Sequence, residues 1–107
     1  SISTLEHVGW DESPRNPDLA AAAVRHLRSR LAPAGTLLVT VPVDYNPVLD
    51  AALSAGELPL DRLSAMRRIA RPDRWAQVSL AGVWGARYDR IFYSASGVVF
   101  GWATGPA

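Results

Sequence analysis

Leu31-Ala32-Pro33-Ala34-Gly35-Thr36-Leu37-Leu38-Val39-Thr40-Val41-Pro42 is the stretch that decides how this chain is read. It reads as a helix terminus, a tight turn, and an apolar strand stopped by proline. Pro33 and Gly35 end the helix. Thr36 to Val41 is apolar apart from its threonines and rich in β-branched residues, the pattern of a strand buried on both faces. Leu38, mid-way along it, is therefore expected among the least exposed residues. Pro42 lacks the amide a central ladder needs, so the strand stops there.

Upstream, Asn16-Pro17-Asp18 forms a helix start: a side-chain acceptor, a proline for the first turn, and an acid at the positive helix end. Ala20, Ala23, Val24, Leu27 and Leu31 recur at spacings of three and four. The spacing predicts a helix over about 17–32. Ahead of it, Ile2-Ser3-Thr4-Leu5-Glu6-His7-Val8-Gly9-Trp10 reads as a strand end opening into a polar loop. Together these make a strand–helix–strand unit of the kind used by open parallel sheets.

Downstream, Asn46-Pro47 repeats the helix-start device and Gly56 supplies a stop, predicting a helix over about 47–55. Arg62 to Ile69 is read as a strand with Leu63, Ala65 and Ile69 inward, and Arg71-Pro72-Asp73 as a turn. Trp75 to Arg87 carries Val78, Leu80, Val83 and Trp84, but Gly82 and Gly85 argue against a long helix. Ile91 to Tyr93 and Val98 to Trp102 are strand-like, separated by Ser94-Ala95-Ser96-Gly97. Thr104 to Ala107 is expected to fray.

The 107 residues are 49% hydrophobic and 20% charged, which suits a globular core. A formal charge of +1 gives no general attraction to nucleic acid or anionic membrane, so neither is expected as a partner. Cysteine is absent, so disulfides and thiolate metal sites are excluded. No apolar run reaches the roughly 20 residues that span a bilayer. A signal-peptide pattern is absent from the first residues, and a cytoplasmic location is expected. No repeat or linker divides residues 1–107, which read as a single domain or fragment.

The order Glu6-His7, Pro33-Ala34-Gly35, Pro42, Tyr45-Asn46-Pro47, Leu49-Asp50, Leu53, Leu58, Arg68, Trp75 and Tyr88 resembles the carboxyl-terminal half of class I S-adenosylmethionine-dependent methyltransferases. The likeness covers almost the whole chain. It departs at Ala34, where the family often has glycine and where alanine fits if φ is negative, and at Ser96, where asparagine is common. The resemblance implies an α/β fold, a partial Rossmann-like sheet made of strands 4 to 7 of a mostly parallel seven-stranded sheet. In it the last strand is antiparallel and inserted between strands 5 and 6. The glycine-rich cofactor half is not in this sequence, and Ser1 reads as a chain entered in the middle. This chain alone is therefore expected to bind S-adenosylmethionine weakly or not at all, and to self-associate or to need the missing amino-terminal half.

The implied activity is methyl transfer from S-adenosylmethionine to a small-molecule acceptor. Ligands of open α/β sheets sit beyond the carboxyl ends of strands. That places Ser3, Thr4, Leu5 and Glu6 along the cofactor and makes His7 the candidate catalytic base. Alternatively Glu6 and His7 hold the loop in shape. No metal site is expected: Glu6 and His7 are two ligands, and Asp11 and Glu12 are near only in sequence. Trp10 is placed to cover an acceptor. His26 reads as a surface histidine. Arg62, Arg67, Arg68, Arg71 and Arg74, with Trp75 adjacent, form a local basic cluster of the kind that binds phosphate or stacks on a nucleic-acid base, but Asp61 and Asp73 dilute it, and it reads as a solvated strand edge with one structural arginine. Ser94 and Ser96 lack an acid–base partner. The alternative function is a non-catalytic interaction module whose open sheet edge pairs with a partner chain.

Overall fold

A computed structural model of the chain describes residues 11, 18–70, 74–89, 91 and 94–105. Its elements are α1 (Leu19–Ser29), β1 (Thr36–Pro42), α2 (Pro47–Ser54), β2 (Arg62–Ala70), β3 (Arg74–Val78), α3 (Leu80–Val83), β4 (Tyr88–Asp89), β5 (Ser94–Ala95) and β6 (Gly97–Thr104). The expected strand end at Ile2–Trp10, the helix start at Asn16-Pro17 and the turn at Arg71–Asp73 lie outside the described residues. No described helix is long and apolar enough to cross a membrane.

β1, β6, β2 and β3 form one sheet in that order, and β4 pairs with β5 in a second, two-stranded one. Every strand pair is antiparallel. This overturns the expectation of a mostly parallel, Rossmann-like sheet. β6 returns between β1 and β2, and the hairpin partner β3 extends the sheet, so no described strand has a parallel neighbour. The position of β6, last in the chain and antiparallel to both flanking strands, is the one feature of the implied order that is present.

α2 forms where its capping residues predict. The Asn46 side chain accepts from the Leu49 amide at 3.1 Å, with Pro47 opening the first turn. At the other end the Gly56 and Glu57 amides donate to Leu53 and Ala52. That pairing needs a left-handed residue, and Gly56 has φ 70°. α1 is shorter than its apolar spacing, because the Arg30 and Leu31 amides close tight turns on the Leu27 and Arg28 carbonyls. Ala34 has φ 60° rather than the negative value expected. The Gly35 amide donates to Ala32 across this turn, and the Gly105 amide donates to Gly35. These bonds hold alanine in a region its Cβ disfavours.

The core lies on one face of the larger sheet. Ala20 and Val24 of α1, Leu49 and Leu53 of α2 and Val83 of α3 pack with Leu37, Val39 and Val41 of β1, Ala65 of β2, and Val99 and Ala103 of β6. With the helices on one side, strand alternation turns the other residues outward. Leu38 is 37% exposed, not deeply buried, whereas Thr40 and Pro42, further along the same face of β1, are buried. Ile69 is also turned out, at 62% exposure, because the β2–β3 register shifts between Arg68 and Ala70. The segment after Arg71–Asp73 opens with strand β3 and continues into the four-residue helix α3. The second strand of the small sheet is Ser94–Ala95, where a break was expected.

Candidate functional site

The carboxyl end of β1 gathers the polar groups. Past Pro42 the chain turns through Asp44, which has φ 73°, a conformation aspartate tolerates. The turn is anchored below by the Val43 amide donating to the Gly97 carbonyl. On the other side it leads into α2, whose cap Asn46 is completely buried. The Asp44 amide donates to Asp50 Oδ2 at 2.8 Å, so the first turn of α2 holds the loop that precedes it. Asp44 Oδ2 in turn accepts from the Tyr88 amide at 3.0 Å. Tyr45 and Tyr88 meet edge to face, with centroids 5.0 Å apart. The Tyr45 hydroxyl donates to Asp11 Oδ1 at 2.5 Å.

Burial pushes the Asp50 carboxyl up to about 6; the hydrogen bond from the Asp44 amide opposes this and the Asp44 charge adds to it. Asp50 Oδ1 is buried and accepts no hydrogen bond. The result is a carboxyl held above the usual carboxylate range, at about 6, beside the Asp44 carboxylate. Among the described residues no group of three or more His, Asp or Glu side chains is arranged to hold a metal ion.

The residues assigned from the sequence to cofactor binding (Ser3, Thr4, Leu5 and Glu6) and to catalysis (His7) lie outside the described residues, as does Trp10. Tyr45, Asn46, Asp50 and Tyr88 carried the resemblance but had no assigned role, and the fold brings them together. Asp44 was not singled out. Its signal was an acid immediately before Tyr45-Asn46-Pro47, with Asp50 in the first turn that follows.

The other candidates have structural partners. His26 is exposed on α1. Arg67 Nη1 donates to the Gly82 carbonyl at 3.0 Å. Arg68 Nη2 donates to the Ser94 hydroxyl at 2.9 Å, and the Arg68 amide donates to the Ser96 carbonyl. So two of the arginines, not one, are tied into the fold. Trp84 packs against the core, whereas Trp75 and Trp102 lie beside arginines on the sheet. No family model matches the chain, and no curated protein or solved structure is significantly similar to it.

Proposed function

We propose that this chain carries the acceptor side of an S-adenosylmethionine-dependent methyltransferase acting on a small molecule. The observation that supports the reading is the place of β6. It is last in the chain, yet it lies between β1 and β2 and runs antiparallel to both. β1 and β2 therefore point the same way, with α2 between them in sequence. Of the residues of the resemblance that follow β1, Tyr45, Asn46, Asp50 and Tyr88 meet at its carboxyl end. The proposal does not include a mostly parallel sheet.

S-adenosylmethionine supplies a methyl group already activated on a sulfonium, so the protein has chiefly to position and desolvate. The described groups suit that cationic end: Asp44 offers a carboxylate, with Asp50 holding its turn from below, and Tyr45 and Tyr88 offer aromatic rings. Asp50 takes up or releases a proton at its carboxylate near neutral pH. Ser3, Thr4, Leu5 and Glu6 belong to the proposal as cofactor contacts and His7 as base.

The test supplies radiolabelled S-adenosylmethionine and a panel of small hydroxyl and amine acceptors to the natural polypeptide that carries this sequence. Label is expected in an acceptor, and His7→Ala is expected to lower turnover on a hydroxyl acceptor by roughly 10²–10⁴-fold. Absence of transfer, together with no calorimetric binding of S-adenosylhomocysteine, would overturn the reading. A second reading, the non-catalytic interaction module, is favoured by β3, which among the described strands pairs on one side only. Methyl transfer separates the two.

A further inference from the structure

The sheet face turned away from the helices has a chemistry that methyl transfer does not use. Phe100 and Trp102 are two apart on β6 and so project on the same side. Their rings lie 6.3 Å apart at 25°. Arg62, opposite Trp102 across the β2–β6 ladder, holds its guanidinium 4.4 Å from the Trp102 ring. At the far corner Arg68, opposite Trp75 on β3, stands 5.2 Å from that ring. Between the corners, Ser64, Met66 and Gln77 join Phe100 and Trp102 around a shallow hollow of about 260 Å³.

The charge on this sheet has one sign. β1, β2, β3 and β6 contain Arg62, Arg67, Arg68 and Arg74 and no aspartate or glutamate. All 10 acidic residues of the chain lie outside these strands. The formal charge of +1 hides this asymmetry. Of the four arginines, Arg62 and Arg68 project on this face, whereas Arg67 turns toward the helices, where it bonds the Gly82 carbonyl. A second copy of the chain would set these two arginines against their own copies across strands that carry no carboxylate, an arrangement that disfavours pairing. An anionic partner is answered by both.

The spacing narrows the partner. Arg62 and Arg68 are separated by roughly 20 Å along β2 at the usual rise of a strand. A mononucleotide, with its charge at one end, reaches one corner. A chain of nucleotides reaches both, with its bases over the aromatic rings between them. Stacking of unpaired bases on aromatic side chains of a sheet, with arginines on the phosphates, is how single strands are held without a groove.

We propose that the open sheet face binds single-stranded nucleic acid. Phe100 and Trp102 stack on bases, Arg62 neutralises a phosphate at one corner, and Arg68, held between Trp75 and Ser94, presents its charge at the other. Ser64 and Gln77 offer hydrogen bonds to base edges. This departs from the expectation drawn from total charge, because the fold concentrates arginine where the total does not show it.

The test is fluorescence anisotropy of labelled oligouridylate and oligothymidylate of about ten residues, a length within the usual range for such sheets, titrated with the whole chain. Binding is expected to weaken with salt at a log–log slope near about −1.4, the value for two phosphates on a single strand. Arg62→Gln, at an exposed position, should halve that slope. Phe100→Leu keeps an apolar side chain and should weaken binding at least about fivefold by removing a stacking platform. Arg25→Gln, on the exposed side of α1, should change neither. Circular dichroism checks that each variant is folded. Absence of saturable binding by the folded chain at low salt would overturn the proposal, as would equal weakening by Arg25→Gln. A concentration-dependent dimer that Phe100→Leu breaks, without oligonucleotide binding, would make the face a self-association surface and overturn it too.

Discussion

Leu37 and Leu38 are neighbours of one residue type with opposite fates. Leu37 is 8% exposed and faces the helices, whereas Leu38 is 37% exposed and faces away. The side chain that best reports the core is on α2: Leu49, 2% exposed, packed between its helix and the sheet. Leu49→Ala should cost about 2–5 kcal/mol, since a closed site pays for both lost transfer and a residual cavity. Leu38→Ala should lose less than half as much, because solvent already reaches the position. Urea denaturation of the two variants measures both. A larger loss at Leu38 would mean that its face is covered in solution.

At the scale of elements, α3 and the residues after it fit closely on β6. Gly97 opens β6 on the covered face, and a Cβ there would stand 2.7 Å from Ala86 Cβ and 2.9 Å from Val83 Cγ2. Val83 is fully buried, so it has no room to withdraw. Gly97→Ala should therefore destabilise the protein by about 1–3 kcal/mol through overpacking. The β4–β5 ribbon follows α3 directly, and its Tyr88 amide bonds Asp44 at the carboxyl end of β1. The same variant should shift the Asp44 and Tyr88 amide resonances. A neutral substitution with an unchanged spectrum would show that α3 packs more loosely on β6. α1 is held differently. Arg28 donates to Asp61 Oδ1 at 2.9 Å and to the Pro59 carbonyl, while Asp61 Oδ2 accepts from the Thr104 amide at 2.8 Å. One carboxylate thus ties the helix to the end of β6.

For the whole molecule, these two carboxylates pull the pH dependence of stability in opposite directions. Burial raises Asp50 from an ordinary value of 3.8 to about 6. Its folded form binds a proton more readily than its unfolded form, so its contribution is complete below about 3.8 and is lost as pH rises through about 6. Asp61 is lowered by the Thr104 amide and the Arg28 side chain. Its contribution is present above 3.8 and is lost as pH falls through its folded value. Unfolding free energy should therefore rise as pH falls from neutral toward 4 and drop again in stronger acid. Asp50→Asn should flatten the first limb and leave the second. Chemical denaturation at a series of pH values checks the sign, and a first limb unchanged by Asp50→Asn would refute the assignment.

Local chemistry was legible in the residues alone. Asn46-Pro47 and Gly56 set both ends of α2 through hydrogen bonds between near neighbours. Pro42 ended β1, and the apolar run before Thr104 made β6. Tyr45, Asp50 and Tyr88 were visible as a pattern, though not as a cluster. What the sequence did not disclose depends on contacts between distant segments. Whether Leu37 or Leu38 faces the helices follows from which side of the sheet α1 and α2 occupy. The antiparallel order follows from β6 returning between β1 and β2. The raised Asp50 carboxyl follows from burial that α2, the Asp44 turn and their neighbours impose together. Periodicity and capping act within one element, whereas neighbour strands, covered faces and proton affinities are set by whatever the chain brings alongside, and only the tertiary structure decided those.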